Sequence, residues 1–150
     1  MIIVQNYIAG SFETEIETID DIGPATGQKI AKIPRTLDAN ASISAAKEAK
    51  KDWANRTITE RAQWLGKIAD AIEQRKSELA KVESLDTGKP IEVALNVDID
   101  RCIKNFRFFS EYHSHISENE YRMDDATNFV LRKPMGVVAL ITPWNLPLYL

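Results

Sequence analysis

The stretch Gly136-Val137-Val138-Ala139-Leu140-Ile141-Thr142-Pro143-Trp144-Asn145-Leu146-Pro147-Leu148-Tyr149-Leu150 decides how this chain is read. Val137 to Ile141 is a short apolar run, β-branched at three places and free of polar interruption. Such a run predicts a strand buried on both faces, the kind found in parallel sheets covered by helices. Pro143 cannot donate to a ladder, so the strand is expected to stop at Thr142-Pro143. Ligands in open α/β sheets sit beyond the carboxyl ends of the strands. Trp144 and Asn145, on a backbone stiffened by two prolines, are therefore expected where such a fold does chemistry.

Upstream, Asn6-Tyr7-Ile8-Ala9-Gly10-Ser11-Phe12 alternates around Gly10 and predicts a short hairpin. Gly23-Pro24-Ala25-Thr26-Gly27 is a turn by composition, and Lys29 to Ile33 alternates as a strand would, closed by Pro34. Three helical stretches follow. The first starts at Asp38 as N-cap, with Ile43, Ala46, Ala49 and Trp53 spaced as a buried face. The second opens on Thr57 with Glu60 three positions on, a capping-box pattern. Its stripe is Ala62, Leu65, Ile68, Ala69 and Ile72, with a possible restart near Ser77. Gly88 suits the helix end and Pro90 the start of the third helix, whose apolar face is Leu95, Ile99, Cys102, Phe106 and Phe109. From about residue 116 to 135 the alternation around Phe129, Leu131 and Lys133 predicts a two-stranded hairpin leaving the domain body. A lone hairpin is marginal in water, so it needs a partner surface.

Composition narrows the class. With 150 residues, 44% hydrophobic and 27% charged, the chain falls among ordinary globular proteins with room for one core. A formal net charge of -3 gives no electrostatic footprint for nucleic acid. No apolar run approaches the roughly 20 residues of a membrane span, and the first residues show no signal-peptide pattern. The single cysteine, Cys102, excludes an internal disulfide and suits a reducing, cytoplasmic compartment. Its place on the apolar face of a helix makes it core filler rather than a nucleophile. One buried strand without its crossover partner is no finished parallel sheet, so the chain reads as the N-terminal part of a larger protein.

Pro143-Trp144-Asn145-Leu146-Pro147, behind the apolar run, resembles the Pro-Trp-Asn-x-Pro signature of the aldehyde dehydrogenase superfamily. Asn6 to Phe12 is similar to the family's opening segment. Gly23 to Gly27 is similar to its Asn-Pro-Ala-Thr-Gly turn, with Gly23 in place of Asn. Glu83-Ser84-Leu85-Asp86-Thr87-Gly88-Lys89-Pro90 is similar to its Glu-x-x-Asp-x-Gly-Lys-Pro segment. The resemblance implies an α/β, aldehyde dehydrogenase-like fold. Residues 1–115 would be the first segment of the NAD-binding domain and 116–135 a hairpin arm used for homodimer or homotetramer assembly. Residues 136–150 would be the first strand of the parallel sheet with its Pro-Trp-Asn loop.

The same resemblance implies the chemistry. A cysteine thiolate attacks an aldehyde, a hydride passes to NAD (NADP remains open), and water releases the acid. Asn145 would donate its amide N–H to the oxygen on which charge builds. Losing one such donor typically costs about 10²–10³ in rate. Ile141, Thr142, Pro143 and Trp144 would line the nicotinamide-ribose side of the cofactor. The family's catalytic Cys and general-base Glu have no counterpart in these 150 residues. Asp86 and the carbonyl of Ile22 would hold a monovalent cation, as oxygen donors suit. Asn105 to Phe109, together with the terminal motif, is similar to the 2-aminomuconate and 2-hydroxymuconate semialdehyde dehydrogenases. In that branch an arginine on this helix clamps the substrate carboxylate, and Arg101 is the position carried over. Arg107 is read as solvated or paired. A betaine-aldehyde or a general aliphatic aldehyde dehydrogenase is the alternative reading within the family. The alternative of another class is a non-catalytic module for binding or assembly.

Overall fold

The computed structural model describes residues 2–36, 38–116 and 119–150. Strands come first: β1 (Ile2–Ile3), β2 (Asn6–Ile8), β3 (Ser11–Glu13), β4 (Thr18–Ile22) and β5 (Lys29–Pro34). β1 pairs parallel to β5 and β4 antiparallel to it, so the sheet order is β1-β5-β4. β2 and β3 form the hairpin expected around Gly10, with Tyr7 opposite Phe12. Its two-residue turn needs positive φ at both positions, and Ala9 adopts +50° beside Gly10 at +88°.

The helical layer is α1 (Asn40–Asn55), α2 (Ile58–Gln74), α3 (Lys76–Thr87), α4 (Ile91–Val93) and α5 (Asp100–Tyr112). A π-helical segment, Ala94–Ile99, joins α4 to α5 without a break. The capping box on α2 is complete. The Thr57 hydroxyl accepts from the Glu60 amide at 3.2 Å, and the Thr57 amide donates to the Glu60 carboxylate at 2.7 Å. α3 ends on Gly88 in the left-handed conformation, φ +75°. The first helix departs from expectation. Ala39, not Asp38, is its N-cap, while the Asp38 carboxylate accepts from the Asn40 amide at 2.8 Å. No residue of α1 is buried. Ala46, Ala49 and Trp53 instead line an open groove of about 530 Å³ shared with Pro134 to Val138. A face is buried only where an element covers it, and this one faces an unpaired segment.

The core lies between α2, α3, the π segment and α5, around Ala69, Ile72, Ala80, Ala94, Ile99, Cys102 and Ile103. α2 and α5 approach closely: Ser110 donates to the carbonyl of Ala62 at 2.9 Å, and a Cβ on Gly66 would meet Ser110 Oγ at 3.2 Å. The expected face of the third helix is only partly buried. Ile99 and Cys102 are fully buried and Leu95 and Phe106 pack against the core, but Phe109 is 51% exposed. The wider π turn rotates the stripe, bringing Ala94, Asp98 and Ile103 inward. Phe109 instead lines a groove with Trp53, Ile58 and Leu65.

β6 (Asn119–Arg122) and β7 (Thr127–Val130) pair antiparallel, with Glu120 opposite Phe129. Every residue of both strands is exposed. The reading of a hairpin from about residue 116 also takes in Ser117 and Glu118, which lie outside the described residues, as do Met1 and Leu37.

The apolar run Val137 to Ile141 is expected as a strand whose sheet partners lie outside these residues, and here it stands unpaired. It carries no strand assignment and pairs with no other segment among the described residues. Leu140 is 85% and Ile141 95% exposed. A parallel strand takes its hydrogen bonds from neighbouring strands and its burial from covering helices. Among the described residues no strand flanks this run, and α1 faces only its start at Val137 and Val138, so Leu140 and Ile141 stay uncovered. The chain remains mixed α/β, with its terminal run outside the sheet.

Candidate active-site segment

Beyond Pro143 the backbone turns. Trp144 to Tyr149 is a series of turns, closed where the Leu150 amide donates to the Leu146 carbonyl at 3.1 Å. Pro147 fixes its own φ and restricts Leu146 before it, so the turn has few soft torsions. Asn145 is exposed and Trp144 is 88% exposed, whereas Leu148 and Tyr149 pack against the core. The turn is thus rooted at its far end and open where the amide and the indole stand.

The roots come from α5. Cys102 Sγ donates to the Leu148 carbonyl at 3.4 Å, and the Arg101 guanidinium lies 4.8 Å from the centroid of the Tyr149 ring. Arg101 is thereby brought to the terminal turn and shares a shallow depression with Lys104, Asn105, Phe108 and Tyr149. Arg107 is taken up elsewhere, pairing with Asp70 at 3.2 Å and Glu73 at 2.5 Å on α2. Cys102 is fully buried, and burial together with the negative charge of Glu83 pushes its thiol pKa up. A thiol held in that form is no nucleophile.

Below the turn lies a charged cluster that sequence reasoning did not single out. Glu83 is 5% and Asp98 4% exposed. Lys89 Nζ lies 2.6 Å from Asp98 Oδ2 and 3.7 Å from Glu83 Oε1. Glu83 Oε1 is buried without a hydrogen-bond partner among the described residues. Burial raises the Glu83 pKa, opposed by the Lys89 charge and by the backbone amide of Leu148. The available signal was Asp98 itself, a lone acid between Val97 and Ile99 in an otherwise apolar stripe. The π segment turns it inward to meet Lys89.

Asp86 stands in the last turn of α3. Desolvation of its carboxyl and the charge of Asp21 both raise its pKa. Asp21 and Asp86 line one groove of about 340 Å³ with Glu83, Pro147 and Leu148, whereas Ile22 is not among the residues of that groove. The Gly23 to Gly27 turn abuts Gly88, whose Cβ, if present, would lie 3.0 Å from Pro24 Cγ.

The class defined here is an α/β chain that presents an asparagine and a tryptophan on a proline-bounded turn rooted in a helical core. A model of the Aldehyde dehydrogenase family matches residues 12–150, and the chain belongs to that family. It is 42% identical to the 2-aminomuconic semialdehyde dehydrogenase of Danio rerio, over 99% of this chain and 31% of that protein. It is 35% identical to the 2-hydroxymuconic semialdehyde dehydrogenase of Pseudomonas sp. strain CF600, over 98% of this chain and 32% of that protein. The crystal structure of PnpE in complex with nicotinamide adenine dinucleotide superposes with a TM-score of 0.88 at 38% identity. It covers 97% of this chain and 31% of that one. The chain therefore spans about a third of the length of the relatives it matches. No helix among the described residues is long and apolar enough to cross a membrane.

Proposed function

We propose that the complete protein carrying these residues oxidises an aldehyde of the muconic-semialdehyde type to its carboxylic acid, with NAD as acceptor. The observation that carries the reading is the Asn145 turn: an exposed amide on a proline-stiffened backbone rooted in a buried core. Asn145 donates its amide N–H to the aldehyde oxygen as the carbonyl carbon becomes tetrahedral. A donor already in place costs no reorganisation when charge appears. The attacking thiolate comes from outside these residues, since Cys102, their only thiol, is buried.

NAD, when bound, would supply the hydride acceptor. Ile141, Thr142, Pro143 and Trp144 fit one wall of its site, because Ile141 and Trp144 leave an apolar and aromatic surface uncovered. Arg101 binds the carboxylate that distinguishes a muconic semialdehyde from a simple aliphatic aldehyde. Asp86, with the Ile22 carbonyl, takes a monovalent cation. Asp21 and Asp86 line one groove, and burial together with the Asp21 charge raises the Asp86 pKa, so the pair is a donor set in want of positive charge. Segments 1–115 and 136–150 serve the cofactor domain, and the exposed β6–β7 hairpin serves as the arm of a homodimer or homotetramer in the cytoplasm.

The test is Asn145→Ala in the complete protein, assayed by NADH formation with a muconic semialdehyde, betaine aldehyde and an aliphatic aldehyde. The expected result is a fall in turnover of about 10²–10³ with the fold retained. Unchanged turnover would remove the assignment. Equal wild-type rates on all three aldehydes would remove the substrate class and the role of Arg101.

A further inference from the structure

We infer that Cys102 is a positioning residue for Asn145, acting through the Leu148 peptide; this rests on the oxyanion role proposed above. Its thiol donates to the Leu148 carbonyl across 46 positions of sequence at 3.4 Å. Leu148 lies inside the turn closed by the bond from the Leu150 amide to the Leu146 carbonyl. Leu146 is the immediate neighbour of Asn145, and Pro147 between the two contacts removes a torsion that would otherwise absorb a displacement. Displacing the Leu148 carbonyl therefore displaces the Asn145 amide. The neighbouring pair on α5 repeats the arrangement, since Arg101 holds the ring of Tyr149, the residue after Leu148.

The geometry explains why a polar atom stands at this point in the core. Cys102 is 0% exposed, among Ile99, Ile103 and Ala94. A purely apolar side chain would fill the same space but leave the Leu148 carbonyl without its donor. A partly buried carbonyl left without its donor turns elsewhere for a partner, and the turn would move with it.

The test compares Cys102→Ala and Cys102→Ser in the complete protein. Both lose the volume of the sulfur, and only serine keeps a donor. Catalysis is sensitive to placement, a misplacement of about 1 Å costing up to about 10²-fold. Cys102→Ala is expected to lower kcat about tenfold with KM unchanged, and Cys102→Ser to recover most of that loss. Hydrogen exchange of the Leu150 amide gives a second readout that needs no turnover. It is expected to quicken in Cys102→Ala and to return toward the wild-type rate in Cys102→Ser. Equal effects of the two variants on kcat and on exchange, or none from either, overturn the inference and assign Cys102 to packing alone. Asn145→Ala run in parallel separates the two failures. Its loss of turnover alongside equal Cys102 variants defeats only this inference, whereas full activity in Asn145→Ala defeats the oxyanion reading beneath it.

Discussion

Replacing Lys89 by methionine tests the buried charge cluster. Lys89 Nζ is 2.6 Å from Asp98 and 3.7 Å from Glu83, and the two carboxylates are 4% and 5% exposed. Methionine preserves most of the side-chain volume, so the change is one of charge. It leaves two acids of like sign beside each other with no cation and little water. Removing one partner of a buried pair costs about 3–5 kcal/mol, because the remaining charge stays desolvated. At about 1.4 kcal/mol per tenfold, that is about two to three and a half decades in the folded ratio. The sign with pH follows from Glu83, whose pKa burial already raises. A carboxyl with a raised folded-state pKa stabilises the fold fully below its unfolded pKa, and that contribution is lost as pH rises through the folded value. The Lys89→Met deficit should therefore shrink as pH falls from neutral toward the carboxylate range. The assay is thermal unfolding of the complete protein across that range, with Lys51→Met as control. Lys51 is exposed and, among the described residues, pairs with exposed Glu48, so its loss should cost about 0–1 kcal/mol. A Lys89→Met deficit no larger than that of Lys51→Met, or one that grows on acidification, refutes the reasoning.

Three further outcomes are expected. Thr57→Ala removes the acceptor for the Glu60 amide and should destabilise the protein by about 1 kcal/mol, read as a lower unfolding midpoint. Gly88→Ala places a Cβ at φ +75° and 3.0 Å from Pro24 Cγ, and should cost about 1–2 kcal/mol by chemical denaturation. Cys102, buried and with a raised thiol pKa, should resist alkylation in the native protein at neutral pH and react on unfolding; rapid native labelling would contradict its burial.

Much of the local structure was legible in residue order, because its causes are local. The Thr57–Glu60 box, the Gly88 stop, the Gly10 hairpin and the Gly23 to Gly27 turn each depend on torsions or hydrogen bonds within a few residues. So was family membership, which rests on the Pro143 to Pro147 string and the Glu83 to Pro90 segment. The terminal run stands unpaired among the described residues for a physical reason. Apolar, β-branched composition states that Val137 to Ile141 is suited to a buried strand, but a strand exists only where another offers its backbone. The α1 face was misread, since periodicity marks an apolar stripe without supplying what covers it.

What the residue order determined by itself is therefore the caps, the turns, the helical stripes and the identity of the side chains presented after Pro143. Tertiary structure alone decided which stripes are buried, and it drew Asp98 inward through the π segment to meet Lys89 and Glu83. It also brought Cys102 and Arg101 to the turn that carries Asn145. The contacts of Cys102 and Arg101 join residues far apart in the chain, and nothing in local torsional preference or hydrophobic period encodes the distance between a helix and a distant turn. Their energies come from desolvation and close approach, which exist only once the layers have packed.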